Sequence, residues 1–254
     1  ISFLELRKNE KWVCIYLLLG LVIFFFFDYS ISKFFYGINS QTKSLFTTLT
    51  HFGDSLYFFI PLILIWSGIK ILKNKNKIVS SIGDISLFIF FSILLSGIVS
   101  QIFKHIIGRP RPVLYNGSDI KALDILNFDS KWHSFPSGHT TTIFAFIFCL
   151  FFLFPKLKNF LIALAVIIAS TRVIIGAHFI SDIFGGVLIA YLCTIFVRNK
   201  FSKNNKLFNF KENFYLSKDE VNQIFKNLDK IFQNIFSIYL NFNFYLKTLT
   251  ITLI

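Results

Sequence analysis

Apolar residues gather in six stretches of this chain, roughly 12–27, 55–72, 85–103, 139–154, 159–175 and 179–197. Each is long enough to span a bilayer core or nearly so, which predicts an all-α, polytopic membrane protein built as a bundle of six transmembrane helices. The fourth and fifth stretches are short, and the fifth and sixth carry charged residues at their ends, so hydropathy alone ranks them below the first three. The first stretch lacks a small-residue cleavage site and reads as a retained anchor. Residues 30–54 form a polar and aromatic connector, with an amphipathic helix predicted around 41–51. Residues 73–77 read as a tight basic turn, and 113–135 as the longest polar loop, with a turn at 115–118 and Trp132 at the interface. Beyond Val197 the pattern changes. Ser217-x-x-Glu220 is a capping box, followed by Val221, Ile224, Phe225, Leu228, Ile231 and Phe232 at helical spacing with Lys226, Asp229 and Lys230 opposite. That predicts a surface-lying amphipathic helix. The chain therefore divides into an anchor and connector over 1–49, a membrane core over 50–197 and a cytoplasmic tail over 198–254.

Composition supports the membrane assignment. A chain of 254 residues that is 54% hydrophobic, with mean hydropathy +0.64, has more apolar surface than a soluble fold of this size buries. Cys14, Cys149 and Cys193 all fall in or beside apolar stretches without a second ligand nearby, so neither a disulfide framework nor a zinc site is expected. The net charge of +13 invites a nucleic-acid reading, but the positive residues sit at the ends of apolar stretches. Thirteen lie on one face: Arg7, Lys8, Lys11, Lys70, Lys73, Lys75, Lys77, Lys156, Lys158, Arg198, Lys200, Lys203 and Lys206. The other face holds eight, namely Lys33, Lys43, Lys104, Arg109, Arg111, Lys121, Lys131 and Arg172. The positive-inside bias then puts both termini in the cytoplasm, and anionic lipid headgroups account for the basic excess without nucleic acid.

Three segments carry chemistry: 104–112 (KHIIGRPRP), 136–139 (PSGH) and 171–182 (TRVIIGAHFISD). Together they supply three permanent cations (Lys104, Arg111, Arg172), two histidines (His139, His178) and a carboxylate (Asp182). A phosphoryl group in transfer spreads negative charge over three oxygens, and cations with backbone N–H groups stabilise it without a metal. The arginine forks bind two oxygens each and Lys104 adds a compact charge. Pro110 and Pro112 stiffen the segment that presents Arg111. Ser137 is placed to cap the helix that follows and to bond a phosphate oxygen, and Gly138 lets a phosphate reach the backbone at that helix N-terminus. His178 and Asp182 are four apart, so on a helix they share a face. The carboxylate then fixes the imidazole tautomer and leaves the other ring nitrogen free to attack phosphorus. Taken singly, Lys104 reads as a snorkelling lysine and the arginines as headgroup contacts. Arg109 lies off the spacing and stays a headgroup candidate, while His51, His105 and His133 read as interfacial or loop histidines.

The spacings K-x6-R-P, P-S-G-H and R-x5-H-x3-D, in that order, resemble the type 2 phosphatidic acid phosphatase family, whose members share a core with the vanadium haloperoxidases. The family pattern usually has Ser before the arginine of the third motif, where this chain has Thr171. The resemblance implies a haloperoxidase-like membrane phosphatase core acting on a lipid phosphate or diphosphate without cofactor. It implies His178 as nucleophile and His139 as the acid that protonates the leaving group. His133-Ser134-Phe135 ahead of PSGH is similar to the bacterial lipid A 1-phosphatase and phosphatidylglycerophosphatase branch, which implies a bacterial inner membrane, and the positive-inside bias then turns the site to the periplasm. Two alternatives stay open: a noncatalytic phospholipid-binding or transport protein that kept the pocket, and a vanadate-dependent oxidase. Intact His139, His178 and Asp182 weigh against the first, and the membrane runs against the second.

Overall fold

A computed structural model of the chain describes residues 15–24, 26–71, 77–114, 123–154 and 157–204. The expected amphipathic helix at 217–236, most of the basic turn at 73–77, the turn at 115–118 and Cys14 lie outside the described residues. Eight helices follow in order: α1 Ile15–Phe24, α2 Asp28–Tyr36, α3 Ser40–Thr50, α4 Leu56–Ile71, α5 Lys77–Ile107, α6 Gly138–Leu153, α7 Lys158–Ile174 and α8 Ile180–Asn204. No strand occurs among the described residues.

Each of the six apolar stretches contains a helix, but not every helix has the length and composition of a full crossing. Among the described residues three segments are long and apolar enough to cross, Ser40–Ile71, Val79–Leu114 and Ile180–Phe201. A fourth counts if α1 and α2, inclined by 53°, act as one bent span. At 1.5 Å per residue the 16 residues of α6 reach about 24 Å, short of a hydrocarbon core of about 30 Å. α1 lies within the first stretch, and α2 begins at Asp28, just past its end. The connector thus holds α2 as well as the expected α3.

The short helix is the central one. Nine of the 16 residues of α6 are buried, so it is apolar all round because protein rather than lipid surrounds it. α5 and α8 pack on it and on each other, α4 lies against α5, α7 against α6, and α3 covers α7. Close approach along α5 comes from a row of small residues. Ser92 and Ser96 are fully buried and return their hydroxyls to the carbonyls of Phe88 (2.8 Å) and Ser92 (2.7 Å). Cys149 and Cys193 are buried as free thiols. The outer helices carry the lipid-facing surface, as with Leu56, Ile60 and Leu64 on α4, all exposed. In this up-and-down arrangement the C-terminal ends of α5 and α7 meet the N-terminal ends of α4, α6 and α8. The three motifs therefore converge at one end of the bundle.

Candidate active site

α5 ends at Gly108, whose φ of +55° is a left-handed conformation favourable for glycine. A β-carbon there would lie 1.5 Å from the carbonyl oxygen of Asp124, so the turn and the close approach both require glycine. The chain then runs back along the long loop. Asp124 N–H donates to Gly108 O (2.8 Å), Arg111 N–H to Lys131 O (2.9 Å) and Ser134 N–H to Arg109 O (3.0 Å). This zipper fixes Arg111, whose Nε donates to Ser130 O at 3.0 Å. One turn inside α5, the Lys104 ammonium reaches toward Gly138. A β-carbon on Gly138 would stand 3.2 Å from Lys104 Nζ, so this glycine makes room for the cation.

Ser137 occupies the N-cap position of α6, after a cis Phe135–Pro136 peptide. Its hydroxyl does not cap the helix, contrary to the expectation. Fully buried, it accepts from the Thr140 hydroxyl at 3.0 Å, and the Ser137 N–H donates to Asp182 O at 3.1 Å. The first-turn N–H groups of Gly138 and His139 remain without intrahelical acceptors, which suits an anion. His139 faces the charges of Arg172, Asp54 and Lys104 and the ring of His178. Behind it stands Gly53, where a β-carbon would lie 3.0 Å from His139 Cβ and 3.3 Å from its carbonyl oxygen.

The third motif bends around the end of α7. Arg172 donates from Nη1 to Thr50 Oγ1 (3.1 Å), while its buried Nε has no partner among the described residues. The backbone N–H of His178 returns to Arg172 O at 3.1 Å. His178 thus sits in the turn before α8 rather than on a helix with Asp182, and its contacts change accordingly. Nδ1 lies 2.7 Å from Ser134 O and 3.5 Å from Asp182 Oδ2, the latter an ion-pair rather than a hydrogen-bond distance. A carbonyl can only accept, so Nδ1 carries the proton and Nε2 keeps its lone pair. Burial pushes the imidazole down to about 4, with the Arg172 and Arg111 charges acting the same way and Asp182 against them.

Asp182 is fully buried and saturated. Oδ2 accepts from Ser134 Oγ (2.6 Å) and Phe179 N–H (2.8 Å), and Oδ1 from Arg109 Nη1 (2.5 Å). Arg109 is therefore no headgroup contact. It is 7% exposed and stacked between the rings of Phe24 and Phe179, with its carbon Cζ 4.7 and 4.1 Å from their centres. The same guanidinium donates to Ser181 Oγ (2.7 Å) and, from Nη2, to Asp28 Oδ2 (2.7 Å). Asp28, at the start of α2, also accepts from the N–H of Ser181 (2.9 Å) and from its hydroxyl. Asp28, Thr50, Gly53 and Ser134 escaped the sequence reading. Of these, Ser134 falls in the His133-Ser134-Phe135 segment noted in the sequence, and Thr50 and Gly53 lie together in the connector, but no role followed from any of those positions.

Lys104, Gly138 and His139 line a cavity of about 820 Å³ that continues between α4 and α5 past Phe59, Ile93 and Ile98. A charged end and an apolar body match an amphiphile carrying a phosphate.

Comparison with known proteins agrees with this geometry. The profile of the PAP2 superfamily matches residues 86–206. The chain is 31% identical over 175 residues to the lipid A 1-phosphatase of Rhizobium johnstonii, covering 66% of this chain and 72% of that protein. It is 32% identical over 154 residues to the lipid A 1-phosphatase of Rhizobium etli, covering 58% and 66% respectively. Its fold is similar to the crystal structure of the transmembrane PAP2-type phosphatidylglycerolphosphate phosphatase of Bacillus subtilis, with a TM-score of 0.55 at 21% identity, over 78% of this chain and 98% of that one. Charged seat, paired histidines and apolar helices lead to one assignment: the chain belongs to the PAP2 superfamily and is an integral membrane lipid phosphatase.

Proposed function

We propose that this phosphatase hydrolyses its lipid phosphate through a phosphohistidine, without a metal ion. The observation that carries this reading is the fixed His178 ring: Nδ1–H is committed to Ser134 O, which leaves Nε2 as the free nitrogen of a ring within reach of the Arg111 and Arg172 charges, and Lys104 stands with those two arginines. Those three cations take the place of a metal, which like charge would repel from the same spot. In the first half-reaction the Nε2–P bond forms and the P–O bond to the lipid breaks as His139 donates a proton to the leaving alkoxide. In the second, water adds to phosphorus, the N–P bond breaks, and His139 takes the proton from water, releasing inorganic phosphate and the original ring.

The matches to lipid A 1-phosphatases support a substrate of that class, a phosphate on the polar end of a multi-chain lipid. In this reading α1 and α4–α8 make six crossings, residues 50–197 are the catalytic core, and 198–254 is a cytoplasmic tail. The site faces the periplasm of a bacterial inner membrane, as the inward excess of Lys and Arg supports. Purified protein in detergent, offered lipid A, phosphatidic acid, phosphatidylglycerophosphate and undecaprenyl diphosphate with and without EDTA, tests the chemistry. Phosphate release indifferent to EDTA and an alkali-stable, acid-labile phosphohistidine in samples quenched with alkali are expected. A divalent-metal requirement for the chemical step overturns the mechanism. For orientation, single cysteines at Ser118 and Lys203 are treated with an impermeant thiol reagent on intact spheroplasts. Labelling at 118 alone is expected, and labelling at 203 alone inverts the topology.

A further inference from the structure

Asp28 lies outside all three motifs and outside the region matched by the family profile, yet it is 4% exposed and ends on the same guanidinium as Asp182. A buried carboxylate is costly unless its hydrogen bonds and charge are answered. Here Oδ1 takes the Ser181 N–H in the first turn of α8, and Oδ2 takes both Ser181 Oγ and Arg109 Nη2. Asp28 therefore caps α8 from another helix and grips the arginine that grips Asp182.

The charges of this cluster matter more than its bonds. Arg109 and Asp182 alone would be a neutral pair, and a neutral pair does little for a cation formed 3.5 Å from the carboxylate. With Asp28 the three groups sum to one negative charge. That surplus becomes useful when Nε2 takes phosphorus, because the N-phosphorylated ring with its proton still on Nδ1 is cationic. We infer that Asp28 is a positioning residue that keeps the Arg109–Asp182 cluster anionic and aligned, so that the cationic phosphohistidine is stabilised as it forms. This rests on the phosphohistidine reading above. Arg109 contributes the geometry and Asp28 the charge.

The test compares wild type with Asp28→Asn and Asp28→Glu as full-length enzymes in detergent, by steady-state kinetics, rapid alkaline quench and vanadate inhibition. Asparagine keeps an oxygen for the Ser181 N–H but removes the charge. Its kcat and its rate of phosphoenzyme formation should fall about ten- to a hundredfold, the range for a partner one step removed from a reacting centre. KM and vanadate inhibition report the cation seat and should stay within about threefold. Glutamate restores the charge and should recover most of the lost kcat. A folded Asp28→Asn enzyme that forms phosphoenzyme at the wild-type rate overturns the inference. So does a variant whose KM and kcat fall together without rescue by glutamate. Should Asp28→Asn fail to fold, Ser181→Ala decides. It removes the hydroxyl bridging Asp28 and Arg109 but no charge, and a several-fold loss in kcat at constant KM is expected, unchanged kcat being fatal. Wild-type enzyme that releases phosphate without any phosphohistidine instead overturns the mechanism itself, and this inference with it.

Discussion

Arg109 and Arg172 both stand at the ends of membrane helices, and the protein holds them in opposite ways. Arg109 makes three side-chain hydrogen bonds, to Ser181, Asp182 and Asp28, and lies flat between two phenylalanine rings. Arg172 makes one among the described residues, to Thr50, and its buried Nε has no partner. A buried donor left unpaired costs about 1–3 kcal/mol, a cost that a bound oxygen would remove. The saturated arginine is thus a fixture, whereas the unsaturated one keeps a donor to offer. The division extends outward. Asp182, Ser134 and Asp28 share the closed network around Nδ1 of His178, whereas Lys104 and Arg111 stand with Arg172 in a cluster of like charges.

Substitutions that respect or cross this divide should separate accordingly. His178→Ala removes the group on which both sides converge and should lower turnover on the order of 10⁴-fold or more, while vanadate still binds in the cation seat. Loss of vanadate binding along with activity would mean that the ring, not the cations, holds the phosphate. Arg172→Ala acts on the open side and should cost roughly 10²–10³-fold in kcat/KM, with KM rising as well, because a preorganised donor is lost from a dry site. A defect confined to kcat would place Arg172 with the positioning network instead.

Gly53→Ala probes the wall behind His139. A methyl group 3.0 Å from His139 Cβ must displace the imidazole, and misplacement on that scale should reduce kcat about tenfold. Thermal stability that stays near wild type would show the effect to be alignment rather than unfolding. The smallest effect concerns acidity. Because burial pushes the His178 ring down to about 4, it stays neutral and nucleophilic as pH falls and protonates only near that value. Phosphoenzyme formation, corrected for ionisation of the substrate phosphate, should lose only about a tenth of its rate at pH 5 from this group, whereas an ordinary imidazole would be almost wholly protonated. An acid limb centred above pH 6 after that correction contradicts the dry surroundings of His178.

Legibility followed the same divide. The cation seat could be read because Lys104, Arg111 and Arg172 sit at fixed spacings beside PSGH, and charge at the end of an apolar run has few uses. The closed network could not. Asp28 is a single carboxylate after a phenylalanine run, and its partner Arg109 comes 81 residues later. Nothing local distinguishes it from an interfacial aspartate. Arg109 was mistaken for a headgroup contact because its neighbour Arg111 fitted the spacing and it did not. The four-residue interval from His178 to Asp182 was correct as proximity but wrong as geometry, since a turn rather than a helix separates them. Length alone leaves α6 short of a full crossing for another physical reason: a helix sheathed in protein does not need the length of one bathed in lipid.

The buried triad also sets an order of events during synthesis. The chain emerges N-terminus first, so Asp28 is made before Arg109, and Asp182 follows the arginine by 73 residues. Until α8 arrives, Asp28 and Arg109 can meet only as a neutral couple, a form of two opposite charges that hydrocarbon tolerates far better than either alone. Asp182 and His178 enter last and together. The nascent enzyme consequently holds no anionic cluster beside an imidazole until α8 docks, and competence for chemistry appears in one step with that docking.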